Sequence, residues 1–132
     1  MEKLIIEPTL NTPGVILDPE KNQFEFSGES RPEDVRNFYM PILEWLEENS
    51  TLLKSGNKEE ALREFHFNFE YFNSTSAKYI LDLFKLLSKL HDDGISIGIY
   101  WHFEEDDEDM LEVGQEMSRM SRLPFEYVKI KV

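Results

Sequence analysis

Three hydroxyl residues in a row, Ser74-Thr75-Ser76, follow Asn73 where the sequence changes from alternating to helical patterning. Hydroxyls at a helix start can do two kinds of chemistry. One caps the helix by accepting a backbone N–H, and is worth about 1 kcal/mol. Another can accept a phosphoryl group, whose charge of about −1.5 to −2 gains from the helix N-terminus and changes the local surface. One cap needs one hydroxyl, and Asn73 is itself a competent cap. At least two hydroxyls are then without a structural task, which points to a binding module switched by phosphorylation, although capping alone also accounts for clusters of this kind.

Two other groups invite a chemical reading. The run Glu104-Glu105-Asp106-Asp107-Glu108-Asp109 offers oxygen ligands to a hard cation. It lacks the alternating Asp-x-Asp-x-Asp-Gly spacing of a calcium loop, and acids in a first helical turn complement the macrodipole, so a solvated helix start is the expectation. It is also a surface for a basic partner. His66 and His102 fall on one face of two predicted strands, an arrangement suited to a metal pair or to proton transfer near neutral pH. No nucleophile–base constellation can be built around them. A glycine-rich phosphate loop, a nucleophile elbow and a His-Glu-x-x-His helix are all absent from the sequence. No catalytic residues, metal ligands or cofactors are therefore assigned.

The elements that must position these residues follow from periodicity. Leu4 to Glu7 predicts a short strand, and Val15–Leu17, a polar turn and Phe24–Phe26 predict a hairpin. Ser30-Arg31-Pro32-Glu33 has the capping-box arrangement and predicts a helix start. Val35, Phe38, Tyr39, Ile42, Leu43 and Leu46 form its apolar face, with Pro41 inside it and a kink expected near Asn37. From Asn49 to Glu60 the sequence turns polar and reads as a mobile loop. Phe65, Phe67, Phe69 and Tyr71 alternate with His66, Asn68 and Glu70, giving a strand with one wet side. Ile80, Leu83, Phe84, Leu87 and Leu90 trace a helix ending at Asp92-Asp93-Gly94. Ile95, Ile97, Ile99, Trp101 and Phe103 repeat the one-sided strand. A helix over about Asp107 to Arg119 is expected to bury Met110, Leu111, Val113, Met117 and Met120, and Phe125 to Val132 closes the fold as a strand. The order is βββαβαβαβ. Two successive strands with one apolar face each predict a two-layer α/β architecture, a mixed sheet with helices mainly on one face.

With 132 residues, 40% of them hydrophobic, the chain is long enough for one compact domain spanning 1–132 and too apolar to be disordered. Fourteen basic residues against 27 acidic ones give a formal charge of −13. That charge opposes approach to a nucleic-acid backbone or an anionic membrane. There are no cysteines, so disulfides and thiolate chemistry are excluded. Met1 to Pro8 does not have the organisation of a signal peptide and no apolar run approaches a membrane span, so the cytoplasm is the expected compartment.

Several strings resemble the SiaC family of bacterial regulatory phosphoproteins: Glu7-Pro8-Thr9, Leu17-Asp18-Pro19, Phe26 through Glu33, Phe38 through Leu46, Tyr71-Phe72-Asn73, Trp101 through Met110, and Pro124-Phe125. They run nearly from end to end. The resemblance implies a fold similar to anti-sigma-factor antagonists and a non-enzymatic partner-switching role in cyclic-di-GMP regulation of biofilm formation. By that resemblance a histidine-kinase-like Ser/Thr protein kinase phosphorylates the protein, a PP2C-type phosphatase reverses this, and the unmodified form binds and activates a diguanylate cyclase. The family acceptor follows the Asn of a Tyr-x-Asn-Thr-Ser-Ser string. That position is Ser74 here, where the family usually has Thr, and Thr75 is the runner-up. Asn73, Ser74, Thr75, Ser76 and Lys78 are the expected partner-binding residues. The alternatives are another regulatory target, as in an anti-sigma-factor antagonist switch, a small metal-dependent enzyme using the acidic run, and a scaffold that binds constitutively.

Overall fold

The computed structural model describes residues 3–55 and 62–132. Six strands, β1 (Leu4–Ile6), β2 (Gly14–Asp18), β3 (Gln23–Ser30), β4 (Arg63–Phe72), β5 (Ile97–Glu104) and β6 (Phe125–Ile130), form one sheet in sequence order. The first three pair antiparallel, while β3, β4, β5 and β6 pair parallel. The helices are α1 (Val35–Glu48), α2 (Ser50–Ser55), α3 (Ser74–Asp92) and α4 (Glu108–Ser121). Tyr39, Ile42, Leu46, Leu53, Ile80, Leu83, Phe84, Leu87 and Met117 from the helices join Phe24, Phe26, Phe65, Phe67, Ile99 and Trp101 from the sheet in a single buried cluster. All four helices therefore cover one face, as the one-sided strands predict.

The core rows run straight across the register. Phe24 stands beside Phe65 with ring centroids 4.6 Å apart, and Phe26 beside Phe67 at 4.8 Å. Such stacked neighbours on adjacent strands add to the area that each ring buries. In α4 the packing is closest at Gly114, where a Cβ would lie 2.5 Å from Cδ1 of Trp101. Trp101 is fixed from the other side, its Nε1 donating to the Met110 carbonyl at 3.0 Å. Gly114→Ala should therefore destabilise the fold by about 1–3 kcal/mol, even though alanine is the better helix former. Urea unfolding monitored by tryptophan fluorescence reads this directly.

Four expectations need correction. The capping box at Ser30 does not start a helix: Ser30 ends β3, and the cap of α1 is Asp34, whose side chain accepts the Asn37 N–H at 3.1 Å. Between Asn49 and Glu60 the chain forms α2 as far as Ser55, so the order is βββααβαβαβ, and the remainder of that segment lies outside the described residues. Tyr71 is 48% exposed rather than facing the core. The cause is a bulge, since Gly28 pairs with Phe69 but Glu29 pairs with Tyr71. Glu70 drops out of register, the alternation reverses, and Phe72 takes the inward position against Phe69 and Trp101. Met120 is 46% exposed; α4 buries Gly114, Met117 and Ser121 instead. Pro41 lies inside α1 without ending it.

Candidate functional site

The junction between β4 and α3 separates the three hydroxyls by task. Asn73, in an extended conformation, is the cap of α3, its Oδ1 accepting the Ser76 N–H at 2.9 Å. Thr75 Oγ1 donates to the same oxygen at 3.1 Å. Ser76, expected from sequence to contact a partner, is instead fully buried. Its hydroxyl donates to the Ser30 carbonyl at 2.9 Å and accepts from Ser30 Oγ at 2.9 Å. Ser30 Oγ has then spent its proton, so the Tyr39 hydroxyl must be the donor across the 2.6 Å contact between them. The Ser30 carbonyl also takes the Asn73 N–H at 3.1 Å. Ser30, Tyr39 and Ser76 thus tie the start of α3 to the end of β3 and to α1. No local pattern announces this network, because Ser30 and Ser76 are 46 residues apart.

Ser74 is left. It is exposed, and its hydroxyl makes no hydrogen bond among the described residues. It is the first residue of a 19-residue helix, so a negative group on it would meet the positive end of the dipole. Lys78, one turn on, is exposed, 3.8 Å from Asp82 and over the ring of Tyr79.

The buried network has a consequence for stability. Burial pushes the Tyr39 phenol up to about 12. In the unfolded chain it ionises near 10, so the unfolded state releases its proton first and stability falls as pH rises from about 10 to about 12. The loss should be on the order of 3 kcal/mol over that window. Thermal melts of the parent and Tyr39→Phe across it check the sign: the decline should be shallower in the variant.

The acidic run is divided between elements. Glu104 ends β5, Asp107 caps α4 by accepting the Met110 N–H at 3.0 Å, and Glu108 and Asp109 occupy the first turn. This is the helix start expected from its spacing. Among the described residues no group of three or more His, Asp or Glu side chains is arranged to hold a metal ion. His66 and His102 do meet, Nδ1 to Nε2 at 2.9 Å, on the face of the sheet without helices. Burial and the neighbouring His66 charge hold His102 below the usual histidine range, with Glu25 acting in the opposite sense. The other nitrogen of His66 is 3.4 Å from Glu64, and its ring stacks on Tyr100.

A family model described as SiaC family regulatory phosphoprotein matches residues 6–130. The chain belongs to the SiaC family. An uncharacterized protein of Pseudomonas aeruginosa (strain UCBPP-PA14) is 26% identical over 125 residues, covering 95% of this chain and 94% of the relative. The crystal structure of apo-SiaC from Pseudomonas aeruginosa superposes with a TM-score of 0.80 at 25% identity, covering 97% of this chain and 99% of that one. A TM-score of 0.82 at 24% identity, over 96% and 99% of the two chains, relates the fold to SiaC in a crystal structure with the diguanylate cyclase SiaD, whose activator it is. Among the described residues no helix is long and apolar enough to cross a membrane.

Proposed function

We propose that this SiaC-family protein is a non-enzymatic regulator that binds and activates a diguanylate cyclase when unmodified, and that phosphorylation of Ser74 releases it. The observation that carries the acceptor assignment is the division of labour at the helix start: Asn73 caps, Thr75 braces the cap, Ser76 is buried, and Ser74 is exposed and uncommitted. The family description as regulatory phosphoproteins and the SiaC–SiaD complex support the wider reading. A Ser/Thr protein kinase and a PP2C-type phosphatase complete the cycle, and a cytoplasmic location suits all of these partners. Asn73, Thr75 and Lys78 flank the contact, while Ser76 supports it from beneath.

Phosphate at Ser74 is compatible with the fold because the helix start favours the charge. A partner seated there must desolvate or oppose the same group, so modification acts by occlusion rather than by unfolding. Mass spectrometry of protein purified from its native host tests this. A singly phosphorylated tryptic peptide Glu64–Lys78, with the phosphate localised to Ser74, is expected. Its absence under every growth condition, or localisation to Thr75, would reject the acceptor assignment.

A further inference from the structure

The uncovered face of the sheet carries a charge pattern that the helix-start switch does not use. Because strands alternate, the residues between the core positions all point to this side. They include Glu25 of β3, Glu64 and His66 of β4, Tyr100 and Glu104 of β5 and Glu126 of β6, with Glu25, His66, Tyr100 and Glu126 in one row across four strands. Glu70, at the bulge, lines the same grooves as Asn68 and Glu104. Five glutamates therefore share the face, and a sixth, Glu29, is paired with Arg31 at 2.9 Å. The described strands contain two cations, Arg63 and Lys129, and both stand in the rows of the helix-covered side, beside Ile97 and Phe103. Arg63 is buried there, bonded to the carbonyls of Leu53 and Pro19 and to Asn22. Within the described strands the basic groups near the glutamates are two histidines, His66 against Glu64 and His102 against His66.

The face also has relief. A groove of about 530 Å³ runs between the β1–β2 connection and the ends of β3, β4 and β5, with Glu29, Glu70 and Glu104 around it and Leu10 and Ile130 as apolar walls. Leu10 is 90% exposed. Glu29 lies in register with Tyr71, three residues before Ser74, so the groove ends at the strand terminus that leads into the proposed switch. Carboxylates beside exposed apolar side chains complement a segment that presents lysine or arginine together with leucine-like residues.

We infer that this sheet face docks a cationic, amphipathic segment of a partner protein, as a second contact separate from the phosphorylated helix start. The like charge of five glutamates opposes a second copy of this chain in the same place, and the same sign repels nucleic acid. The contact steers association and is weakened by salt.

The probe is a synthetic lysine–leucine amphipathic peptide, with the glutamate–leucine peptide as its control, followed by NMR titration of the whole chain. Shifts are expected on Glu25, His66, Asn68, Glu70, Tyr100 and His102, with no response to the control peptide. The triple variant Glu25→Gln/Glu70→Gln/Glu104→Gln should weaken binding about tenfold. A charge-matched variant on exposed α1 positions, Glu44→Gln/Glu47→Gln/Glu48→Gln, should change it less than twofold. Ser74→Asp should leave peptide binding unchanged, which separates failure of this inference from failure of the switch. Shifts spread over the helices, equal weakening by both triple variants, or no binding would overturn it. So would a change of the chain's own oligomeric state in the sheet-face variant, which would make a second copy the occupant.

Discussion

Ser74→Asp is expected to weaken binding to the diguanylate cyclase of the native host at least a hundredfold, while the variant melts within a few degrees of the parent. The two halves of this result have different causes. At the first position of α3 a carboxylate faces the positive end of a 19-residue helix and replaces a hydroxyl with no hydrogen bond to lose, so the fold gains or is unaffected. At the interface the same charge must be stripped of water or held against the partner's surface, which costs several kcal/mol, and about 2.7 kcal/mol is already a hundredfold. Ser74→Ala should bind constitutively and resist the kinase. Thr75→Ala should lose only the brace on Asn73 Oδ1 and be nearly silent in binding. Isothermal titration with purified cyclase distinguishes these outcomes, and full phosphorylation of Ser74→Ala with none on Thr75→Ala would move the acceptor by one residue.

The largest loss of stability is expected at Phe67. Its side chain is fully buried in the central strand β4, stacked on Phe26 at 4.8 Å and tilted against Phe84 of α3 at 4.7 Å. Truncation removes contacts with β3 and α3 together and leaves a cavity between rigid strands that cannot close over it. Phe67→Ala should cost about 3–5 kcal/mol. For a domain of this size that is on the order of 10–20 °C in melting temperature. Scanning calorimetry at neutral pH reads it, and a shift of only a degree or two would mean that the β4–α3 seam is not the centre of the core.

The same seam shows what a sequence can and cannot reveal. Alternation through Phe65, Phe67 and Phe69, followed by Ile80, Leu83, Phe84 and Leu87 at helical spacing, is a local signal repeated several times, and the strand, the helix and the face they share follow from it. The reversal at Tyr71 was hidden because it depends on the bulge opposite, between Gly28 and Glu29 on another strand. Ser30 misled for a related reason. Its spacing to Glu33 satisfies a capping box, but its hydroxyl is claimed by Tyr39 and Ser76, partners that only the folded chain supplies. At the candidate site, the cluster of hydroxyls and the competence of Asn73 as a cap were legible. Which hydroxyl is buried was not, because Ser74, Thr75 and Ser76 differ only in how the first turn of α3 is rotated against β3. The meeting of His66 and His102 was foreshadowed by alternation, whereas their 2.9 Å contact depends on the stagger of β4 against β5.

The most direct test of the switch is a comparison of one preparation before and after modification. The protein is phosphorylated to completion by its cognate kinase, the single phosphate is localised by tandem mass spectrometry, and both forms are titrated against the same diguanylate cyclase. One phosphate on Ser74, an unchanged melting temperature and at least a hundredfold loss of affinity are the expected result. Equal affinity of the two forms, or loss of affinity only through unfolding, would contradict it.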